Sequence, residues 1–261
     1  MNKCLCLLFL ISLTVSLHAQ ENRQRLWEAG ADAGAVKYSL NDKLLNYYQY
    51  DAVTPSLYHL HFNFQGENNL HFFSIYYRSK TLSESGEPGS YAFNALKLYD
   101  AEFRYEYFHK LQRSGTRPGF FIGAAYDLYI TSMNETYTSS YWPYETGQNS
   151  HDFSGVFLVT ALLNYPVGRW NLAANASYGV LNVAGRPDDF FVKYGERYKS
   201  LLKVYTPMNY QNVQFSLRSH FDISARFSLQ LEYRSEYRSY TGDYGMKFLK
   251  QFWLCGISYK L

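Results

Sequence analysis

Apolar and polar residues alternate with a period of two along most of this chain, as they do in strands with one oily face and one polar face. Tyr58, Leu60, Phe62 and Phe64 stand against His59, His61, Asn63 and Gln65. Ala101, Phe103, Tyr105 and Tyr107 stand against Asp100, Glu102, Arg104 and Glu106, and Phe227, Leu229, Leu231 and Tyr233 against Ser228, Gln230, Glu232 and Arg234. The pattern predicts strands over 29–38, 56–65, 70–79, 96–108, 119–131, 153–165, 169–181, 210–222, 226–239 and 248–261. Gly30 and Gly34 make the first the weakest. In the last, Trp253, Cys255, Ile257, Tyr259 and Leu261 alternate with Leu254, Gly256, Ser258 and Lys260 without a break. The connections also alternate: Gly66-Glu67-Asn68-Asn69 and Pro166-Val167-Gly168-Arg169 are tight, while Thr81 to Ala95 and Asn182 to Asn209 are long.

One segment departs from this pattern. Lys3, the apolar run Cys4 to Leu17 and the end His18-Ala19-Gln20 read as a secretory leader cut after Ala19. The run is short for a spanning helix, and Cys4 and Cys6 precede the apolar core instead of ending it as a lipoprotein cysteine would. Of the three cysteines only Cys255 then remains, which excludes an intramolecular disulfide and a cysteine-built zinc site. Set among Trp253, Ile257 and Tyr259, Cys255 reads as a small hydrophobe. Aromatics make up 19% of the chain, with 27 Tyr, too many for an ordinary water-facing surface and suited to membrane interfaces. A mean hydropathy of −0.34 excludes a bundle of spanning helices but not a spanning barrel, in which only alternate residues meet lipid. The net charge of +3 gives no reason to expect nucleic acid.

Together these features predict an all-β fold: a single antiparallel up-and-down transmembrane β-barrel of about ten strands, within a range of eight to twelve. The leader occupies 1–19 and the barrel domain 20–261. Gly256, Tyr259 and Leu261 at the end of a full-length amphipathic strand resemble the C-terminal signal of Gram-negative outer-membrane barrels, departing from the commonest form in ending with Leu. The resemblance implies the outer membrane as location, with membrane lipid, lipopolysaccharide and the barrel assembly machinery as partners. A soluble lipocalin-like carrier has the same period with its oily face inward. Against it, the polar face is poor in Lys and in places small and uncharged, as in Asn171, Ala173, Asn175, Ser177 and Gly179.

Candidate chemistry lies on that polar face. Arg78, Glu102, Arg104, Glu106, Asp127, Arg218, Glu232, Arg234 and Glu236 would all point into a narrow lumen, where charges of both signs pair and fill the space. His59 and His61, two apart on one strand, are candidate ligand contacts and could make half of a metal site, yet no further metal ligand is evident beside them. No cofactor, metal or catalytic residue is expected. An omptin-like protease needs acids and a His at the outer rim; Asp188-Asp189 supplies acids, but its loop has no His. A lipid hydrolase needs Ser and His together, whereas the neighbours Ser219 and His220 face opposite sides of a strand. The stretch from Asp188 to Tyr205 reads equally as a basic amphipathic helix or as an extra hairpin through Gly195-Glu196. The loop from Met133 to Ser150, rich in Tyr, Thr and Ser, suits an extracellular glycan or protein ligand. The expected role is non-enzymatic: surface binding, envelope scaffold or narrow passage.

Overall fold

A computed structural model describes residues 26–42, 49–54, 58–84, 92–111, 118–139, 142–186, 201–241 and 245–261. The predicted leader, Asp188-Asp189 and Gly195-Glu196 lie outside the described residues. The strands are β1 (Leu26–Asp42), β2 (Gln49–Thr54), β3 (Tyr58–Gln65), β4 (Asn69–Glu84), β5 (Ala92–Lys110), β6 (Gly119–Ser139), β7 (Trp142–Val167), β8 (Trp170–Arg186), β9 (Leu201–Tyr205), β10 (Tyr210–Asp222), β11 (Phe227–Tyr240) and β12 (Met246–Lys260).

Each consecutive pair from β4 to β8 is antiparallel, β8 continues onto β10, β10 onto β11, β11 onto β12, and β12 closes on β1. The circle is completed because β2 and β3 both bridge β1 and β4. β2 with β3, and β9 with β10, each make one stave, so the barrel has ten. Every stave contains one of the predicted strands, including the weak first one. In β1 alanines take the outward positions, and Asp32, Val36, Tyr38 and Leu40 are buried inside.

The helical reading of Asp188 to Tyr205 fails at its far end. Leu201, Leu202 and Tyr205 belong to β9, whose ladder runs from Arg186↔Leu201 to Asn182↔Tyr205. The edge of β8 would otherwise present unpaired backbone groups, and a strand satisfies them where a helix cannot. Nor does β9 add staves: a turn at Pro207, where Asn209 N and Tyr210 N both donate to Thr206 O, carries it into β10. A bulge on β8 accompanies this offset, since Leu158 faces Gly179 and Phe157 faces Leu181.

Tight turns and both described chain ends gather at one rim. Gly66 N donates to Asn69 O, Leu261 N donates to Trp27 O, and Gly168 joins β7 to β8 at a φ of 61° that glycine tolerates. At the other rim the strands overshoot. β6 has 21 residues and β7 has 26, where about 9–11 tilted residues cross the hydrocarbon core. By the usual topology of such barrels the tight rim is periplasmic and the overshooting strands stand outside the cell.

The oily stripe points outward. Phe62, Phe103 and Leu231 are 36%, 36% and 45% exposed, while Glu102 and Arg234 are each 3% exposed. A water-soluble carrier would reverse these values. Aromatic pairs border the outer belt near the periplasmic rim, with ring centroids 4.6 Å apart for Trp27 and Phe64, 4.7 Å for Trp170 and Phe221 and 5.2 Å for Phe227 and Tyr259. Tyr233 and Trp253 pair at 5.8 Å further up the wall. The pairs at the rim match one interfacial girdle of a membrane-spanning barrel. Cys255 is exposed within the belt, so in liposomes a bilayer-soluble maleimide should label it while a charged, water-soluble maleimide should not; equal labelling would place that face in water.

Candidate functional site: the ion-paired lumen

The inward positions of β4, β5, β6, β8, β10, β11 and β12 build a continuous polar column. In its middle tier Arg104 of β5 reaches Glu106 at 2.6 Å and Asp127 of β6 at 3.3 Å. Arg218 of β10 bridges Glu106 and Glu232, both at 3.3 Å. Neutral groups add to the ion pairs: Asn175 donates to Glu106 at 2.8 Å, and Gln214 and Tyr129 donate to Asp127 Oδ2 at 2.5 and 2.8 Å. A charge in a confined low-dielectric space is tolerated only with such partners.

The upper tier turns on one lysine. Lys250 of β12 is wholly buried and lies 2.8 Å from Asp100, 3.6 Å from Glu102 and 3.8 Å from Glu236. Arg234 joins Glu102 at 3.3 Å to Glu236 at 2.9 Å. The Tyr38 and Tyr76 hydroxyls lie within hydrogen-bond distance of each other and of Asp100 Oδ2, so one tyrosine donates to the carboxylate and the other to its neighbour or to the same oxygen. Arg78 stacks 4.5 Å from the Tyr38 ring centroid, and Arg238 lies 4.2 Å from Tyr129 and 4.7 Å from Phe248, so cation–π contacts supplement the ion pairs.

Above this tier the lumen becomes apolar. Val36, Tyr38, Leu40, Leu98, Met133, Met246 and Phe248 form one buried cluster across β1, β5, β6 and β12. Below the middle tier, Leu70, Phe108, Phe121 and Leu162 form another. Within the polar column the void bordered by His59, Arg104, Glu106, Arg218 and Arg234 measures about 20 Å³. A cavity of about 340 Å³ opens at the periplasmic mouth, among Glu28, Asn63, Arg169, His220 and Lys260. A larger hollow of about 840 Å³, lined by Leu163, Leu172, Leu217, Leu231 and Trp253, lies on the oily outer face that a spanning barrel turns toward lipid.

Arg78, Glu102, Arg104, Glu106, Asp127, Arg218, Glu232, Arg234 and Glu236 all face the lumen, and among the described residues all but Arg78 share ion pairs. His59 and His61 meet at Asp32 of β1, outside the arginine network. Two charged residues of the lumen, Lys250 and Asp32, escaped the sequence reading, which had already set Asp100 on the polar face beside Glu102. Lys250 shares its parity with Phe248, Phe252 and Leu254, so both faces of β12 look apolar there. Asp32 sits between alanines and glycines that define no oily face.

A closed antiparallel barrel, oily and aromatic outside and ionic within, is an integral outer-membrane β-barrel protein. Its fold is similar to that of the outer-membrane protease OmpT from Escherichia coli, with a TM-score of 0.52 at 11% identity over 92% of this chain and 98% of that one. Ail, the attachment invasion locus protein of Yersinia pestis, matches with a TM-score of 0.34 at 7% identity over 90% and 98% of the two chains. OprG from Pseudomonas aeruginosa matches at 0.34, with 8% identity over 91% and 96%. No protein-family model matches the chain, and no curated protein sequence does. The fold is that of the Gram-negative outer-membrane barrels.

Proposed function

We propose that this barrel is a sealed, non-enzymatic membrane anchor whose work is done by the strands it holds outside the cell, as a surface-binding protein for an extracellular glycan or protein. The filled lumen carries this reading. Between the periplasmic cavity and the upper apolar cluster, the void that the described residues border beside Arg104 and Arg234 is about 20 Å³, which is room for a single water. A hydrated ion would have to break several buried ion pairs to pass. The overshooting hairpin of β6 and β7 supports the second half of the reading, because strands this long are not needed to cross lipid.

Peptide cleavage, the activity named for OmpT, would need a histidine and acids at the outer mouth to activate water. Among the described side chains of the upper tier, Asp100 is surrounded by Tyr38, Tyr76, Thr131 and Lys250, with no histidine beside it. His71 and His109 lie at the opposite rim, bonded to Tyr105 and Asn69.

Planar-bilayer recording with the refolded protein tests the sealed lumen, and silent bilayers are the expected result. Discrete conductance steps altered by Arg104→Ala or Arg234→Ala would replace the anchor with a passage. Turnover of a peptide or phospholipid panel, abolished by one acidic substitution, would replace it with an enzyme.

A further inference from the structure

We propose that Asp32, His59 and His61 form a divalent transition-metal site within the lumen, with Zn²⁺ as the fitting ion. β1 and β3 bring the three together: their register sets Asp32 opposite His59 and Gly30 opposite His61. Asp32 Oδ2 lies 2.6 Å from His59 Nδ1 and 3.1 Å from His61 Nδ1, and one ligand atom from each residue falls within 4.8 Å of the others. Zinc bonds of about 2.0–2.1 Å set tetrahedral ligand atoms roughly 3.3 Å apart, so a slight opening of the cluster admits the ion. Two nitrogens and one carboxylate suit zinc better than magnesium or calcium, which prefer oxygen.

Four further observations support the site. His61 Nε2 lies 3.1 Å from Ser258 Oγ, an outer hydrogen bond that orients the ring and leaves Nδ1 to bind metal. Two glycines make room for the cluster: a Cβ on Gly30 would lie 2.3 Å from His61 Nε2, and one on Gly256 would lie 1.9 Å from Asp32 Oδ1. His59 Nε2 and Asp32 Oδ1 are buried without a hydrogen-bond partner, in residues only 4% and 5% exposed. Proteins rarely leave such groups unmet. Finally, His59 and His61 border the void of about 20 Å³, which can hold a water as a fourth ligand. That void shares Asn63, Phe72, Arg218 and His220 with the periplasmic cavity, which supplies an access route. The arginines beside the void, Arg104, Arg218 and Arg234, are engaged by Glu102, Glu106, Asp127, Glu232 and Glu236, which leaves Asp32 to offset the ion.

The test uses refolded barrel stripped with chelator, equilibrated with Zn²⁺ and desalted. The wild type should retain about one equivalent by elemental mass spectrometry. Removing a ligand as His59→Gln, His61→Gln or Asp32→Asn should weaken binding by about 100-fold or more, and Ser258→Ala by about 10-fold. His109→Gln, at the periplasmic rim beside Asn69, should bind as the wild type does. Heat-modifiable migration on a gel reports whether each variant folds. Cobalt bound to the wild type needs no variant and should give the strong visible absorption of a four-coordinate site. Absence of retained zinc, undiminished binding by the histidine variants, or a cobalt spectrum identical to that of the free ion would each overturn the assignment.

Discussion

Lys250→Met is expected to lower folding stability by about 3–5 kcal/mol, the cost of removing one partner from a buried charge cluster. The lysine is the nearest cation to Asp100 and also faces Glu102 and Glu236. Without it, Arg234 alone remains ion-paired with both glutamates. Tyr76, Tyr129 and Phe248 lie 5.4, 5.1 and 5.3 Å from the ammonium, measured to their ring centroids, so methionine fills much of the same space and the loss reports charge more than volume. Reversible urea unfolding in lipid vesicles measures it. Adding Asp100→Asn should restore part of the loss, with a coupling of about 1–3 kcal/mol. Strict additivity of the two changes would show that Lys250 and Asp100 do not act as a pair.

Gly123→Ala and Gly34→Ala should each cost about 3 kcal/mol or more, at the upper end for overpacked sites. A Cβ on Gly123 would lie 1.8 Å from the carbonyl oxygen of Tyr107, and one on Gly34 would lie 1.8 Å from that of Trp253. Backbone cannot swing aside as a side-chain tip can, so the ladders β5–β6 and β1–β12 must open locally. Glycines at such points let strands coil sharply enough to close a narrow barrel. Gly66→Ala is the control: its nearest atom is 3.7 Å away, and the change should stay within about 0.5 kcal/mol. Unfolding curves for the three variants decide the matter; equal stabilities would remove close packing as the reason for these glycines.

Much of the fold is legible from residue order, because a period of two fixes which residues share a face and a slip of one residue would invert every strand. That is why ten strands could be placed, and why Glu102, Arg104 and Glu106 could be assigned to one side. Legibility ends where the contrast between faces ends. Along β12 both faces carry large apolar groups, and Lys250 is hidden among them. Along β1 small residues fill both faces, and Asp32 stands out on neither. The stretch before Pro207 fits a helix as well as a strand by its own spacing; the open edge of β8 selects the strand.

Residue order by itself determined the all-β class, the strand positions and the division of each strand into an oily and an ionic side, since these follow from local alternation. Only the closed barrel decided that the ionic side is the inner one, that the lumen is filled, and that His59 and His61 meet Asp32 on one side and Ser258 on the other. His61 and Ser258 are 197 residues apart. Alternation says which residues look the same way, but which strand each one meets depends on ring closure and on the register between strands distant in the chain.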